Sequence, residues 1–471
     1  MVLQRGVAVP VWGNSAPGAD VLVEFAGQKA VAKAGADGRW KATLRPLEAR
    51  AKPGDLTVTA GGETQVLRDI LVGDVWIAAG QSNMEWTLAN EAHAKEELPQ
   101  ADRPALRLLN LSYAGQNANS RPFGPEVLKR LDSEHYFRGA WTRCSTESAK
   151  PFSAVAYYFG KELLAAARVP VGVVHLAVGG SPTEAWIRKE VHASSKELRP
   201  MTEGNWLANE LLEPWCRQRA RENLGRHTES PHPFQPGFLW EAGVAKLLPF
   251  PIRGVIWYQG ESNSLSLPRV RQHELLFPLM VADWRKQWGI GNFPFLYCQL
   301  SSIGTSKGYK SEYWPEFRDS QRRMLERIPE SAMAVTSDLG HPTDVHPRNK
   351  RDVGHRLALA ALATVYGQVC EHRGPDPAST NQDGSTLVVR FRHADGLTTS
   401  DGKPPRSFEL AGADGKYNPV EAMIEGTSVR LKCGTVAAPV SVRYGWQPVS
   451  EGNLVNRAAL PASTFQLKVS P

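Results

Sequence analysis

A chain of 471 residues exceeds one ordinary hydrophobic core, so two or three domains are expected, and 42% apolar with 22% charged residues excludes disordered and collagen-like classes. The net charge of +7 is spread along the chain, with local runs such as Arg217, Arg219, Arg221 and Arg226. Without a concentrated basic face or a recognisable module, it excludes nucleic acid as the expected partner. No stretch reaches the roughly 18 apolar residues of a membrane span, and Met1 leads into polar, strand-like sequence with no signal-peptide core, so the residues alone read as soluble and unexported. Cys144, Cys216, Cys298, Cys370 and Cys433 are far apart, with neither C-x-x-C nor zinc spacing, and are expected as buried free thiols.

From Val7 to about Asp69, alternating runs such as Val21–Phe25 and Leu56–Thr59 are separated by turn signals such as Ala36-Asp37-Gly38 and Gly61-Gly62, the pattern of an antiparallel β domain over residues 1–70. After Leu71, short apolar strands alternate with segments of helical period. The strands are Asp74–Ala79, Val171–Leu176, Gly254–Tyr258, Phe295–Gln299 and Ala332–Thr336; the helices lie near 154–167, 274–288, 317–327 and 353–366. This α/β alternation over residues 71–368 predicts a parallel sheet covered by helices on both faces, with ligands at the carboxyl ends of its strands. Two polar stretches, about 88–150 and 190–236, are too long for ordinary connections and read as insertions near the site mouth. Alternating strands return in residues 369–471, as in Thr386–Phe391 and Ser428–Leu431, so a second β unit closes the chain.

Four strand-end segments carry candidate chemistry. Ala79-Gly80-Gln81-Ser82-Asn83-Met84 follows a strand, where a sharp turn would expose the Ser82 hydroxyl; a helix N-cap would look the same. Met84 stands where the α/β-hydrolase elbow G-x-S-x-G needs its second glycine, which disfavours that fold. Val178-Gly179-Gly180-Ser181 lets a backbone N–H approach an oxyanion, or is simply a tight turn. In Trp257–Asn263, Gln259 or Asn263 could donate to a developing oxyanion. Glu261 could accept from a substrate hydroxyl, or be a buried carboxylate holding neighbouring loops. The segment Asp338–Lys350 offers His346 as a general base, with His341 and His355 as alternatives; Asp338, His341, Asp344 and His346 together could instead be read as a metal cluster.

Together, Gly73–Trp76 running into Gly80–Trp86, Gly254–Asn263 and His346–Lys350 resemble the sialate O-acetylesterase family, a branch of the SGNH hydrolases. The resemblance extends to Met1–Arg5 and Val9–Gly13 at one end, and to Glu451–Leu454 and Leu460–Ser463 at the other. It implies a three-layer, flavodoxin-like SGNH core flanked by N- and C-terminal β-sandwich-like units, no cofactor and no metal, and release of acetate from an acetylated carbohydrate. It further implies Ser82 as nucleophile and His346 as base. The oxyanion hole would comprise the N–H groups of Ser82 and Gly180 with a side chain of Gln259 or Asn263, and Gln81, Asn83 and Glu261 would bind substrate. The usual acid three residues before the His is here Thr343, so His346 would be oriented by Asp344, two residues before it, or by a main-chain carbonyl. Sialate esters are the expected substrate, with acetylxylan or another polysaccharide, or an inactive carbohydrate-binding protein, as alternatives. Relatives usually carry an export signal, which implies a periplasmic or secreted location.

Overall fold

In the computed structural model, which describes residues 1–305, 309–434 and 436–469, the apolar runs of the middle segment are strands buried on both faces, and they join with more polar strands in one sheet of seven. The seven are β1 (Glu63–Gly80), β2 (Arg103–Asn110), β3 (Trp141–Cys144), β4 (Val171–His175), β5 (Gly254–Tyr258), β6 (Phe295–Cys298) and β7 (Ser331–Ala334). Their order is β3-β2-β4-β1-β5-β6-β7, parallel throughout except for the antiparallel edge strand β3.

The covering helices are α1 (Ala154–Ala167), α2 (Pro214–Leu224), α3 (Leu267–Trp288), α4 (Trp314–Arg327) and α5 (Arg351–Thr364). Because successive strand residues face opposite ways, each strand feeds two cores. Ile77, Val174, Val255, Trp257 and Phe295 pack with Phe277, Trp284 and Met324 of α3 and α4. Trp76, Val173, Ile256 and Leu296 pack with Val155, Phe159, Leu357 and Ala361 of α1 and α5. The result is the three-layer α/β architecture expected from the alternating pattern.

The structure differs from the sequence reading in the stretch 88–150, which was expected as insertion but supplies two sheet strands, β2 and β3. Pro104 and the charge of Arg107 hide β2 in the sequence. In the fold, Arg107 is buried and its guanidinium is neutralised by Asp69, with Nη2 3.0 Å from Oδ1.

Strand β1 is long enough to serve two sheets. Its first half pairs with Arg50–Ala60 in the N-terminal β unit, and its second half is the centre of the core sheet. The C-terminal unit is two four-stranded antiparallel sheets around a core that includes Leu387, Phe408, Val429, Tyr444 and Phe465. It is fastened to the core by Arg318 of α4, which donates to the carbonyls of Gly445 (3.1 Å), Gln447 and Pro448 (3.3 Å) and to Ser302 Oγ (3.1 Å). All five cysteines are free thiols, four of them buried. Among the described residues, no helix is long and apolar enough to cross a membrane.

Candidate active site

The four strand-end segments meet at the carboxyl edge of the sheet. Gly80 ends β1 with φ +134°, and a Cβ there would lie 2.2 Å from the Tyr258 carbonyl oxygen, so only glycine lets β1 and β5 stay paired to the turn. The chain then enters the single turn Ser82–Glu85, whose first N–H groups have no intrahelical partner. Gly179 lies across from it: a Cβ there would be 3.8 Å from Ser82 Cβ and 2.8 Å from Glu85 Oε2. Gly180, at φ +76°, follows with its carbonyl fixed by Ser262 Oγ at 2.9 Å.

His346 and Ser82 line the same cavity, of about 880 Å³, although 264 residues of chain separate them. The His346 ring is stacked on Trp86, centroids 5.2 Å apart at 22°. Asp344 Oδ1 accepts from the His346 backbone N–H at 2.9 Å and stands 4.0 Å from ring Nδ1, beyond hydrogen-bond length. Burial, and then the Lys350 charge, hold the His346 pKa below its ordinary value, while Asp344 opposes them.

Asn83, expected to bind substrate, is instead fully buried off the cavity, where it joins three of the segments. Its Nδ2 donates to Glu261 Oε1 and, at 3.0 Å, to the Val345 carbonyl; its Oδ1 accepts from Lys350 Nζ. Burial pushes the Lys350 ammonium down to about 7 and raises Glu261. Glu261 Oε2 is buried without a protein hydrogen-bond partner among the described residues, and Glu261 lines the cavity. Gln81 Oε1 accepts long bonds, 3.4 Å each, from the N–H groups of Gly260 and Ser262, which leaves the amide nitrogen as its donor.

Not every candidate reaches the cavity. Gln259 and Asn263 are fully buried behind it, where Gln259 Nε2 donates to Asn263 Oδ1 (2.6 Å) and Asn263 Nδ2 to Glu184 Oε2 (3.0 Å). Thr183 donates to both side chains, through Oγ1 to Gln259 (2.7 Å) and through N–H to Asn263 (2.9 Å). Both amides therefore join the loops after β4 and β5, and neither lines the cavity where an oxyanion would form. His341 Nδ1 accepts from the Thr343 and Asp344 N–H groups, and His355 pairs with Glu162 at 2.7 Å. Asp338 is paired with Arg356, and no three His, Cys, Asp or Glu side chains converge as a metal site among the described residues.

The structure adds residues that spacing alone did not single out. Glu85, beside Ser82, accepts from Tyr113 Oη (3.0 Å) and Gln116 Nε2 (3.0 Å). Trp86 supports the His346 ring, and Lys350 is the buried amine of the Asn83 network. Glu85, Trp86 and Lys350 all sit within the motif segments, which was their one sequence signal. The cavity is walled by both long polar stretches, through Tyr113, Gln116 and Phe123 from one and Trp215, Arg219 and Phe234 from the other.

Residues 239–363, which include Glu261 and His346, match the family model described as carbohydrate esterase, sialic acid-specific acetylesterase. A sialate O-acetylesterase of Mus musculus is 25% identical over 95% of this chain and 87% of its own. The Homo sapiens sialate O-acetylesterase is 29% identical over 78% of this chain and 70% of its own. A carbohydrate acetylesterase from Xanthomonas citri, of known crystal structure, is 35% identical, with a TM-score of 0.81, covering 99% of this chain and 96% of that one.

Proposed function

The chain belongs to the sialic acid-specific acetylesterase family of carbohydrate esterases, and from that premise we propose that it removes O-acetyl groups from sialic acids through an acetyl-enzyme on Ser82. The observation that carries this reading is the convergence of Ser82, Gly180 and His346 on one cavity at the carboxyl edge of the sheet.

In the proposed reaction His346 takes the Ser82 proton as Oγ attacks the acetyl carbonyl carbon. The N–H groups of Ser82 and Gly180 stabilise the tetrahedral oxyanion, and His346 returns the proton to the departing sugar oxygen. Water, deprotonated by His346, then attacks the acetyl-enzyme, and acetate leaves with Ser82 restored. The half-buried, neutral-leaning imidazole suits a base that must be unprotonated to start the cycle. Asp344, close to the ring but bonded to the backbone, shapes the loop and stabilises the imidazolium by its charge. The unpartnered Glu261 Oε2 is the acceptor for a sugar hydroxyl next to the ester.

A neutral acetylated polysaccharide such as acetylxylan is the second reading, since the cavity wall sets the carboxyl groups of Glu85, Glu213 and Glu261 beside Arg219 and Lys310 and so offers no cationic excess for a sialate carboxylate. Acetate release from O-acetylated sialic acid and from acetylated xylan, by the native chain and by Ser82→Ala, separates the readings. Loss of a catalytic serine lowers turnover by up to about 10⁶-fold, so activity that survives Ser82→Ala refutes the nucleophile assignment. Release from xylan alone moves the substrate to the second reading.

A further inference from the structure

The cavity is wide, yet one side of it is shut. For His346 to protonate the departing sugar oxygen, that oxygen must face the loop after β7; the carbonyl oxygen faces the Ser82 and Gly180 N–H groups, and the acyl chain takes the remaining direction. The strand order places β4 and β7 on opposite sides of β1, which carries Ser82. An acyl chain that avoids both His346 and the oxyanion donors is left the space beside Gly180, flanked by the loop after β4.

There it meets two rings from the second polar stretch. A single carbon placed on Gly180 would come 2.7 Å from Trp215 Cη2 and 2.9 Å from Phe234 Cζ, closer than real carbon contacts allow. The rings are stacked on each other, centroids 5.8 Å apart at 25°, and the Arg219 guanidinium lies 5.0 Å from the Trp215 ring centre. Both are also tied by their backbones: Trp215 N–H donates to Glu213 Oε1 at 3.3 Å, and Phe234 N–H to His232 Nδ1 at 3.1 Å. His232 itself is sandwiched, stacked on Phe123 (5.8 Å) and on Trp206 (6.0 Å). Phe234 is buried at 5% exposure and stacked on Trp215, which stays 38% exposed, so an extra methylene has to displace a packed ring or the indole that covers it.

We propose that Trp215 and Phe234 set the acyl length of the reaction: they close the space beside Gly180 to anything much longer than acetyl, while the sugar occupies the open remainder of the cavity. The proposal rests on the Ser82 esterase reading and adds the residues that decide which acyl group is removed.

The test is the ratio of kcat/KM for p-nitrophenyl acetate to that for the butyrate and hexanoate, measured for the native chain, Trp215→Ala, Trp215→Leu and Phe234→Ala. A methylene refused by a packed pocket costs roughly 10- to 200-fold, so the native acetate-to-butyrate ratio is expected to exceed about 100, and either alanine variant to reduce it at least about tenfold. Each ratio is internal to one preparation, so a partly inactive variant still reports. Native hydrolysis of butyrate within tenfold of acetate overturns the proposal without any variant, and so does an unchanged ratio in the variants that fold. Ser82→Ala run alongside keeps the two ideas apart: residual activity there refutes the nucleophile, whereas the chain-length ratio speaks only to the wall.

Discussion

Asn83 ties the Ser82 turn to the His346 loop, and Asn83→Ala cuts that tie. The substitution removes three hydrogen bonds from a fully buried position: those to Glu261, to Lys350 and to the Val345 carbonyl. Bonds to ionisable groups contribute about 1.5–3 kcal/mol each and a neutral one about 1 kcal/mol, but water can enter the vacated polar space and recover part of this. The net expectation is a loss of about 2–4 kcal/mol in stability, read as a lower denaturant midpoint in urea unfolding followed by circular dichroism. Because Val345 directly precedes His346, the proposed base, its release loosens His346 relative to Ser82. Misplacement on the ångström scale costs about 10²-fold in rate, so kcat on p-nitrophenyl acetate should fall by about that factor with KM nearly unchanged. A variant within about 0.5 kcal/mol of the native protein, with native kcat, would refute the claim that this network sets the geometry of the site.

Two further expectations follow from charge and burial. His346 must be neutral to act, so activity falls as pH drops through its pKa, and burial with Lys350 places that limb below the ordinary imidazole value of 6.5. Asp344→Asn removes the opposing influence and should move the acid limb of kcat/KM to lower pH, whereas Lys350→Met should move it to higher pH; profiles from about pH 4 to 8 decide, and two unmoved limbs would mean that His346 is not the titrating base. Arg318→Met strips the Gly445, Gln447 and Pro448 carbonyls of their shared donor, at a cost of about 2–4 kcal/mol, so the C-terminal β unit should become the first part released in limited proteolysis. Native-like resistance there would place the fastening of that unit elsewhere.

Much of this architecture was legible in the chain because hydrophobic periodicity and strand-end motifs are local signals. Asp74–Ala79 and Gly254–Tyr258 announce buried strands, and the segments that follow them hold the residues that line the site. Strand β2 was not legible, since Pro104 and Arg107 argue against a core strand until Asp69, far along the chain, supplies the countercharge. The amides of Gln259 and Asn263 illustrate the same limit. Their spacing is right for oxyanion donors, but which way a buried amide turns depends on partners such as Thr183 and Glu184, contributed by another loop.

Residue type and order determined the α/β class, the serine and histidine that line one cavity, and the family resemblance, because each is written in short stretches of sequence. Only the tertiary structure decided that Lys350 is buried against Asn83, that Asp344 bonds to backbone and not to the imidazole, and that Trp215 and Phe234 close the space beside Gly180. Those outcomes depend on distances between segments far apart in the chain, and such distances are set when the layers pack and not by any local pattern.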